Sequence, residues 1–183
     1  GMTEDDKGVI WSVTYPASGV VSFNPATRGF KDYGHVYAQN WAQYQRYVAA
    51  DDAGWIYFGV GNTASQIIMF DPATATATPI VPEEKRILGS GMVKRDVNGK
   101  VYGQSGDLWY ELYKGEVKEI AQPTINAKPI ITDSQGLFHN VFPDGKILQT
   151  CDLVEHVLEI KDPATGEVAR FNFDYTSEGA HIM

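Results

Sequence analysis

Few residues in this sequence are candidates for catalysis or ligand binding, and the pattern of apolar runs places most of them just before predicted strands. The candidate catalytic residues are His139 and His181, as general bases, and Arg46, as a partner for a carboxylate. Imidazole titrates near neutral pH, whereas a guanidinium holds a carboxylate through parallel hydrogen bonds. The candidate ligand-binding residues are Gln43, Tyr44, Trp41, Asn140 and Glu178. Together these residue types favour a carbohydrate that carries a carboxylate.

Each candidate also has a plain structural interpretation, which the sequence leaves open. In an acidic chain Arg46 is favoured as one half of a surface salt bridge, and a lone histidine in a strand is more often packed or exposed than catalytic. Trp41 falls in a connection and is the better candidate for stacking on a sugar. The remaining three tryptophans lie on predicted strands and are expected to pack between sheets. They are Trp11, Trp55 and Trp109.

The sequence contains no complete set of ligands for a cofactor. His139, His181 and Gln43 can be combined into a divalent-cation site only through the repeat alignment described below. The GxGxxG, P-loop, HExxH and GxSxG motifs do not occur, and the aspartate-rich turns do not match the calcium loop of EF-hands. The cofactor therefore stays unknown, with a divalent cation as the open alternative.

The composition of the chain excludes or disfavours several classes of protein. The chain has 183 residues, 43% of them hydrophobic, which is enough for a packed core and excludes wholesale disorder. A formal charge of −8 disfavours nucleic acid as a partner, and no apolar run is long enough to cross a membrane. One cysteine excludes an internal disulfide framework. No signal peptide is visible, and the compartment stays unknown.

An internal repeat organises the whole chain. Four glycines that precede short apolar strands, Gly8, Gly54, Gly99 and Gly145, are 46, 45 and 46 residues apart. In three of the four units a turn that contains Pro-Ala-Thr begins 16 or 17 residues after the glycine. The units span approximately residues 3–42, 43–88, 89–133 and 134–183 of a single domain. In the second unit four short apolar runs are separated by Asp- and Gly-containing turns.

Four antiparallel strands repeated about every 46 residues predict a β-propeller, or a partial propeller, of four blades. The first unit is expected to begin almost at its second strand, with the acidic residues 3–7 as a solvated tail. Only residues 40–46 and 82–88 are expected to form a helical turn. The tail around Glu178 and His181 either closes a ring or belongs to a larger propeller of which this chain is a fragment. An open set of blades exposes an apolar face, so we expect a homodimer that completes the propeller.

The stretch from Tyr44 to Gly61, followed by Asp71-Pro72-Ala73-Thr74, resembles bacterial β-propeller repeat proteins of the broad NHL, kelch-like, quinoprotein-like and gluconolactonase-like superfamily. The resemblance covers all four units at the level of the blade pattern. It implies a scaffold that many functions share. Gluconolactonase-like enzymes bind a central divalent ion through a glutamate, asparagines and an aspartate, and Glu178 opens a candidate segment for such a set. Kelch repeats carry a diglycine in each blade, which this chain lacks.

Two function hypotheses follow. The first is a propeller binding module that recognises a small molecule, a saccharide or a protein at the channel mouth. The alternative is a propeller-type lyase or lactonase acting on a uronate-containing carbohydrate. In that alternative His139 or His181 is the base and Arg46 neutralises the substrate carboxylate, so whether the protein is an enzyme stays open.

Overall fold

The structure is a computed structural model of the chain, and it describes residues 1–41, 43–127, 142, 144–152 and 155–172. It divides into two compact units, Gly1–Gly136 and Leu137–Met183. Four sheets are described, and in each one consecutive strands pair side by side and antiparallel. The predicted all-β architecture of short antiparallel sheets is therefore confirmed.

The first unit contains three four-stranded sheets. The first sheet consists of β1 (Met2–Glu4), β2 (Ile10–Thr14), β3 (Gly19–Asn24) and β4 (Gly29–His35). The second consists of β5 (Tyr44–Ala50), β6 (Ile56–Gly61), β7 (Gln66–Asp71) and β8 (Thr76–Pro79). The third consists of β9 (Met92–Arg95), β10 (Val101–Ser105), β11 (Leu108–Tyr113) and β12 (Glu116–Ile120).

The three sheets stack face to face, with β1 next to β5 and β5 next to β9. A first core cluster joins the first and second sheets, and its buried residues are Trp11, Val13, Val20, Val48, Ala50, Ile56, Phe58, Val60, Ile68 and Phe70. A second core cluster joins the second and third sheets, and its buried residues are Ala49, Tyr57, Ile67, Val81, Val93, Val101, Tyr110 and Leu112. This stacking of successive meanders is the arrangement of propeller blades, as predicted.

Burial along each strand follows from its place in the stack. Every residue of β6 is buried, because the second sheet is covered on both faces. In β2 burial alternates, with Trp11 and Val13 turned toward the second sheet. The last strands of the first and third sheets, β4 and β12, are exposed or only partly buried throughout.

A close backbone approach fixes the connection from the second to the third sheet. Gly91 donates its N–H to the Val60 carbonyl at 3.0 Å. A Cβ atom at Gly59 would lie 1.9 Å from the Gly91 carbonyl oxygen, so only glycine fits there. The connection also contains the 3-10 turn Glu83–Lys85, which is the only helical segment among the described residues and is far too short to cross a lipid bilayer.

The second unit contains a three-stranded sheet of β13 (Ile147–Asp152), β14 (Val157–Lys161) and β15 (Val168–Asn172). β14 pairs antiparallel with both neighbours, and the register shifts between Leu148 and Thr150. The prediction gave this unit four strands. The segment before β13 in which the fourth strand was expected includes residues 128–141 and 143, which lie outside the described part of the chain.

The prediction for the start of the chain is wrong. Met2–Glu4 pairs with β2, so the first sheet has a first strand of its own. Asp5 is buried and accepts hydrogen bonds from the N–H groups of Lys7 and Val9 and from the Trp11 indole, the last at 2.9 Å. The acidic residues looked solvated in the sequence, but these bonds give a buried carboxylate its partners. Residues 44–46, expected in a helical turn, open β5 instead.

Candidate functional site

The residues that lead into the first strands of the sheets lie at one end of the first unit, which we call the mouth end. β1, β5 and β9 all begin there. The turn between β2 and β3 and the connections 36–43 and 80–91 lie at the same end, because each follows an even-numbered strand of its sheet. The opposite end carries the Asp-Gly turns between the first and second strands.

Three exposed side chains form a group at the mouth end, which we call the tyrosine–arginine group: Tyr15, Tyr44 and Arg46. The rings of Tyr15 and Tyr44 have centroids 5.0 Å apart and are tilted by 33°. The Arg46 guanidinium lies 5.8 Å from the Tyr44 ring centroid, within the range of a cation–π contact. Tyr15 is 58% exposed and Tyr44 is 40% exposed, so the ring faces are accessible to a ligand.

Local structure explains why these side chains meet. Tyr15 follows β2 directly, in the turn to β3, while Tyr44 is the first residue of β5 and pairs with Gly61. The pairing of β5 with β6 shifts register between Tyr44 and Tyr47. Such an irregularity re-aims side chains at a strand end, and here it lies in the segment that carries Tyr44 and Arg46.

Arg46 has no ion-pair partner in the described structure, although the chain has an excess of acidic residues. The surface salt bridge that its sequence context favoured is therefore not formed. An unpaired guanidinium keeps all of its N–H donors for water or for a bound anion. Arg46 is exposed, and its guanidinium lies over the ring of Tyr44.

Two buried glutamines flank Tyr44 and have hydrogen-bonding capacity left over. Gln43 is fully buried; its Oε1 accepts the Gln39 N–H at 3.2 Å, while its Nε2 has no partner. Gln45 donates through Nε2 to the Ser18 hydroxyl at 2.7 Å, and its Oε1 has no partner. One amide donor and one amide acceptor are thus buried and unused, in the two residues that adjoin Tyr44 in the sequence.

Trp41, predicted to stack on a sugar, is half-buried and packs against the first core cluster. Its indole is shared between the core and the surface of the mouth end. Gln39 donates to the Tyr37 hydroxyl at 3.1 Å in the same connection. The structure therefore brings Trp41, Gln43, Tyr44 and Arg46 to one end of the first unit.

The other predicted site residues, His139, Asn140, Glu178 and His181, lie outside the described residues. Their proposed convergence with Arg46 stays a prediction. Among the described residues no group of three or more His, Cys, Asp or Glu side chains is arranged to hold a metal ion. Tyr15 was missed from the sequence, although it opens the segment Tyr15-Pro16-Ala17-Ser18-Gly19, whose proline, serine and glycine are typical of a turn.

A cavity of about 160 Å³ lies on the third sheet, on the face turned away from the second sheet. Its lining residues include Met92, Tyr102, Gln104, Trp109, Ile125 and Ala127. Trp109, which was predicted to pack between sheets, lines this cavity. Trp11 belongs to the first core cluster and Trp55 packs against the second.

Comparisons with known proteins leave the family open. No family model matches the chain, and no curated protein matches it. Among solved structures it is similar to a chain of the "Crystal Structure of Mitotic Checkpoint Complex", with 11% identity and a TM-score of 0.46. The match covers 91% of this chain and 47% of that chain, so this chain spans about half the length of its structural neighbour.

Proposed function

We propose that this protein is a propeller-type binding module that recognises an acidic saccharide at the mouth end. The observation that carries the proposal is the tyrosine–arginine group, in which a guanidinium without an ion-pair partner lies over the exposed Tyr44 ring, and that ring in turn contacts the exposed Tyr15 ring. Tyrosine faces cover the apolar faces of sugar rings, and arginine binds carboxylates in two-bonded geometry. A uronate unit presents both features within one sugar ring.

The buried amides support a ligand with hydroxyl groups. Gln45 Oε1 can accept from a hydroxyl and Gln43 Nε2 can donate to one, although both atoms are buried in the free chain. Leaving either group unpaired costs on the order of 1–3 kcal/mol, so water or a ligand is expected to reach them. A neutral apolar ligand would satisfy neither these amides nor Arg46.

The test is calorimetric titration of the chain with a galacturonate trisaccharide and with the neutral galactose trisaccharide of the same linkage. The acidic sugar is expected to bind more tightly. Arg46→Gln should weaken its binding about tenfold or more, because a charge-assisted hydrogen-bonded contact is worth about 1.5–3 kcal/mol. The neutral sugar should be little affected by the same change.

Lys118→Gln is the matched control, because Lys118 is an exposed cation on β12, away from the tyrosine–arginine group. It should leave both affinities unchanged. If Arg46→Gln and Lys118→Gln weaken the acidic sugar equally, the attraction is general electrostatics and the proposed site is wrong.

Catalysis on the same ligand class is the second candidate that the sequence supports. In that case His139 or His181 removes the proton from the carbon next to the carboxylate, while Arg46 neutralises the carboxylate. A carbon–carbon double bond forms as the bond from the β carbon to the glycosidic oxygen breaks, and the departing sugar oxygen takes a proton from water. A divalent cation would be an additional aid. The assay is release of unsaturated product from polyuronate, followed by absorbance, with and without chelator. Turnover that disappears in His139→Ala or His181→Ala, with binding retained, would establish an enzyme; binding without turnover would leave a binding module.

Self-association is also part of this proposal. A stack of propeller sheets has an end face on its first sheet, and a second copy of the chain can cover that face. The expected species is a homodimer that completes the propeller.

A further inference from the structure

The first sheet carries an exposed apolar face on the side turned away from the second sheet. Ile10, Phe23 and Phe30 are directly opposite one another across β2, β3 and β4, so their side chains share a face. Trp11 and Ser22, one position along, point to the other face, where Trp11 joins the first core cluster.

Met2 and Val21 extend the same face, because both are register partners of Ser12. We call these five residues, Met2, Ile10, Val21, Phe23 and Phe30, the free face. Three polar residues lie in the same rows of this face: Glu4, Ser12 and Asp32. Phe30 is 65% exposed, Met2 46% and Phe23 39%. Side chains of this size clustered on one sheet face are a sign of an interaction surface.

The internal repeat indicates which kind of surface packs against such a face, because the equivalent face of the second sheet has a partner within the chain. One repeat later the register-equivalent residues of the second sheet are Val48, Ile56, Ile68, Phe70 and Ala77. The first four of these are almost fully buried and belong to the first core cluster, and Ala77 packs against it. That cluster is the interface with Trp11, Val13 and Val20 on the preceding sheet.

We propose that the free face binds a sheet of a second copy of this chain; this rests on the self-association included in the proposed function and names its surface. At its five apolar positions the free face repeats the side of an established sheet–sheet interface within the chain, whereas Glu4, Ser12 and Asp32 stand where the second sheet has Ala50, Phe58 and Pro79. The surface that packs against this kind of face is a propeller sheet with aromatic and β-branched side chains, like Trp11, Val13 and Val20. Each copy of the chain has such a sheet. An acidic saccharide does not fit, because the five side chains offer no cation.

The experiment measures molar mass by size-exclusion chromatography with light scattering across a concentration series. The wild-type chain is expected at twice its 20.2 kDa mass. The double substitution Phe23→Ser with Phe30→Ser should give 20.2 kDa, or raise the dissociation constant at least tenfold. Both residues are exposed, so the fold should persist, and circular dichroism checks that it does.

Leu88→Ser is the matched control, since Leu88 is 84% exposed and lies in the connection to the third sheet, outside the free face. It should keep the wild-type mass. A wild-type chain that stays at 20.2 kDa at all concentrations overturns the inference, as does a dimer that survives the double substitution. Saccharide titration is read separately, so failure of the tyrosine–arginine site and failure of the free face give different results.

Discussion

Two tyrosine hydroxyls in the second core cluster have opposite surroundings. The Tyr57 hydroxyl donates to Asp51 Oδ2 at 3.1 Å and accepts the Gly115 N–H at 3.4 Å. Burial, reinforced by the Asp51 carboxylate, raises the pKa of Tyr57 far above its ordinary value, so the hydroxyl stays protonated. The Tyr110 hydroxyl is buried without a hydrogen-bond partner in the described structure, and its pKa is also raised, chiefly by burial.

We therefore expect the same substitution to have opposite consequences at these positions. Tyr57→Phe should lower the free energy of unfolding by about 1–3 kcal/mol, because it leaves a buried carboxylate oxygen with one donor fewer. Tyr110→Phe should leave it unchanged or raise it by less than about 1 kcal/mol, since an unpaired buried hydroxyl is removed. Urea unfolding of both variants measures the difference, and equal losses would contradict it.

At the scale of the element, one aspartate organises the turn between the first two strands of each sheet in the first unit. Asp5, Asp51 and Asp96 are 46 and 45 residues apart and all buried. Each accepts N–H groups of its own turn through Oδ1. The other carboxylate oxygen can bond outside the turn. Asp51 Oδ2 accepts the Lys114 N–H of the third sheet at 2.7 Å. The turn therefore also joins neighbouring sheets.

Asp51→Ala should be severely destabilising, by about 3 kcal/mol or more, because it unpairs several buried donors at once. Asp71→Ala is the matched control within the same sheet. Asp71 caps the β7–β8 turn through the Ala73 N–H and the Thr74 hydroxyl, but it does so at the surface. Its loss should cost less than about 1 kcal/mol. Thermal melts rank the two variants, and similar losses would refute the role given to Asp51.

The strand-level fold could be predicted because its signals are local and repeated. Gly54 has a positive φ in its turn, and the same residue at the same offset marked every unit. The first strand of the first sheet could not be predicted, because Met2–Glu4 has only three residues, and Thr3 and Glu4 resemble the polar residues of a tail. Only pairing with β2 and the bonds to Asp5 reveal it as part of the sheet.

The candidate site was predictable in part for a different physical reason. Tyr44 and Arg46 were identified as candidate site residues because they precede an apolar run that predicts a strand. Tyr15 lies 29 residues before Tyr44, and only the stacking of the first sheet on the second brings their rings together. Periodicity predicts strands and their order, but it does not predict which loop ends meet.

At the scale of the stacked first unit, Arg95 ties the three sheets together at the end opposite the mouth. Its Nη1 donates to the Ala50 carbonyl of the second sheet at 2.6 Å, and its Nη2 reaches Asp6 in the first sheet's turn at 3.0 Å. Its Nε donates to the carbonyl of Asp96. From sequence alone, a charged residue in a strand is expected to be exposed. Arg95 is nevertheless buried, because three segments of the chain supply hydrogen-bond acceptors for its guanidinium.

Because repeat proteins gain stability from contacts between neighbouring modules, Arg95→Met should weaken the coupling of the sheets as well as the total stability. We expect a loss of about 2–4 kcal/mol, since buried acceptors lose a charged donor. A smaller urea m-value should accompany the loss if the third sheet begins to unfold separately. Lys94→Met, at the exposed neighbouring position of β9, should change neither quantity. If the two variants unfold alike, the sheets are held by their apolar clusters alone, and Arg95 does not couple them.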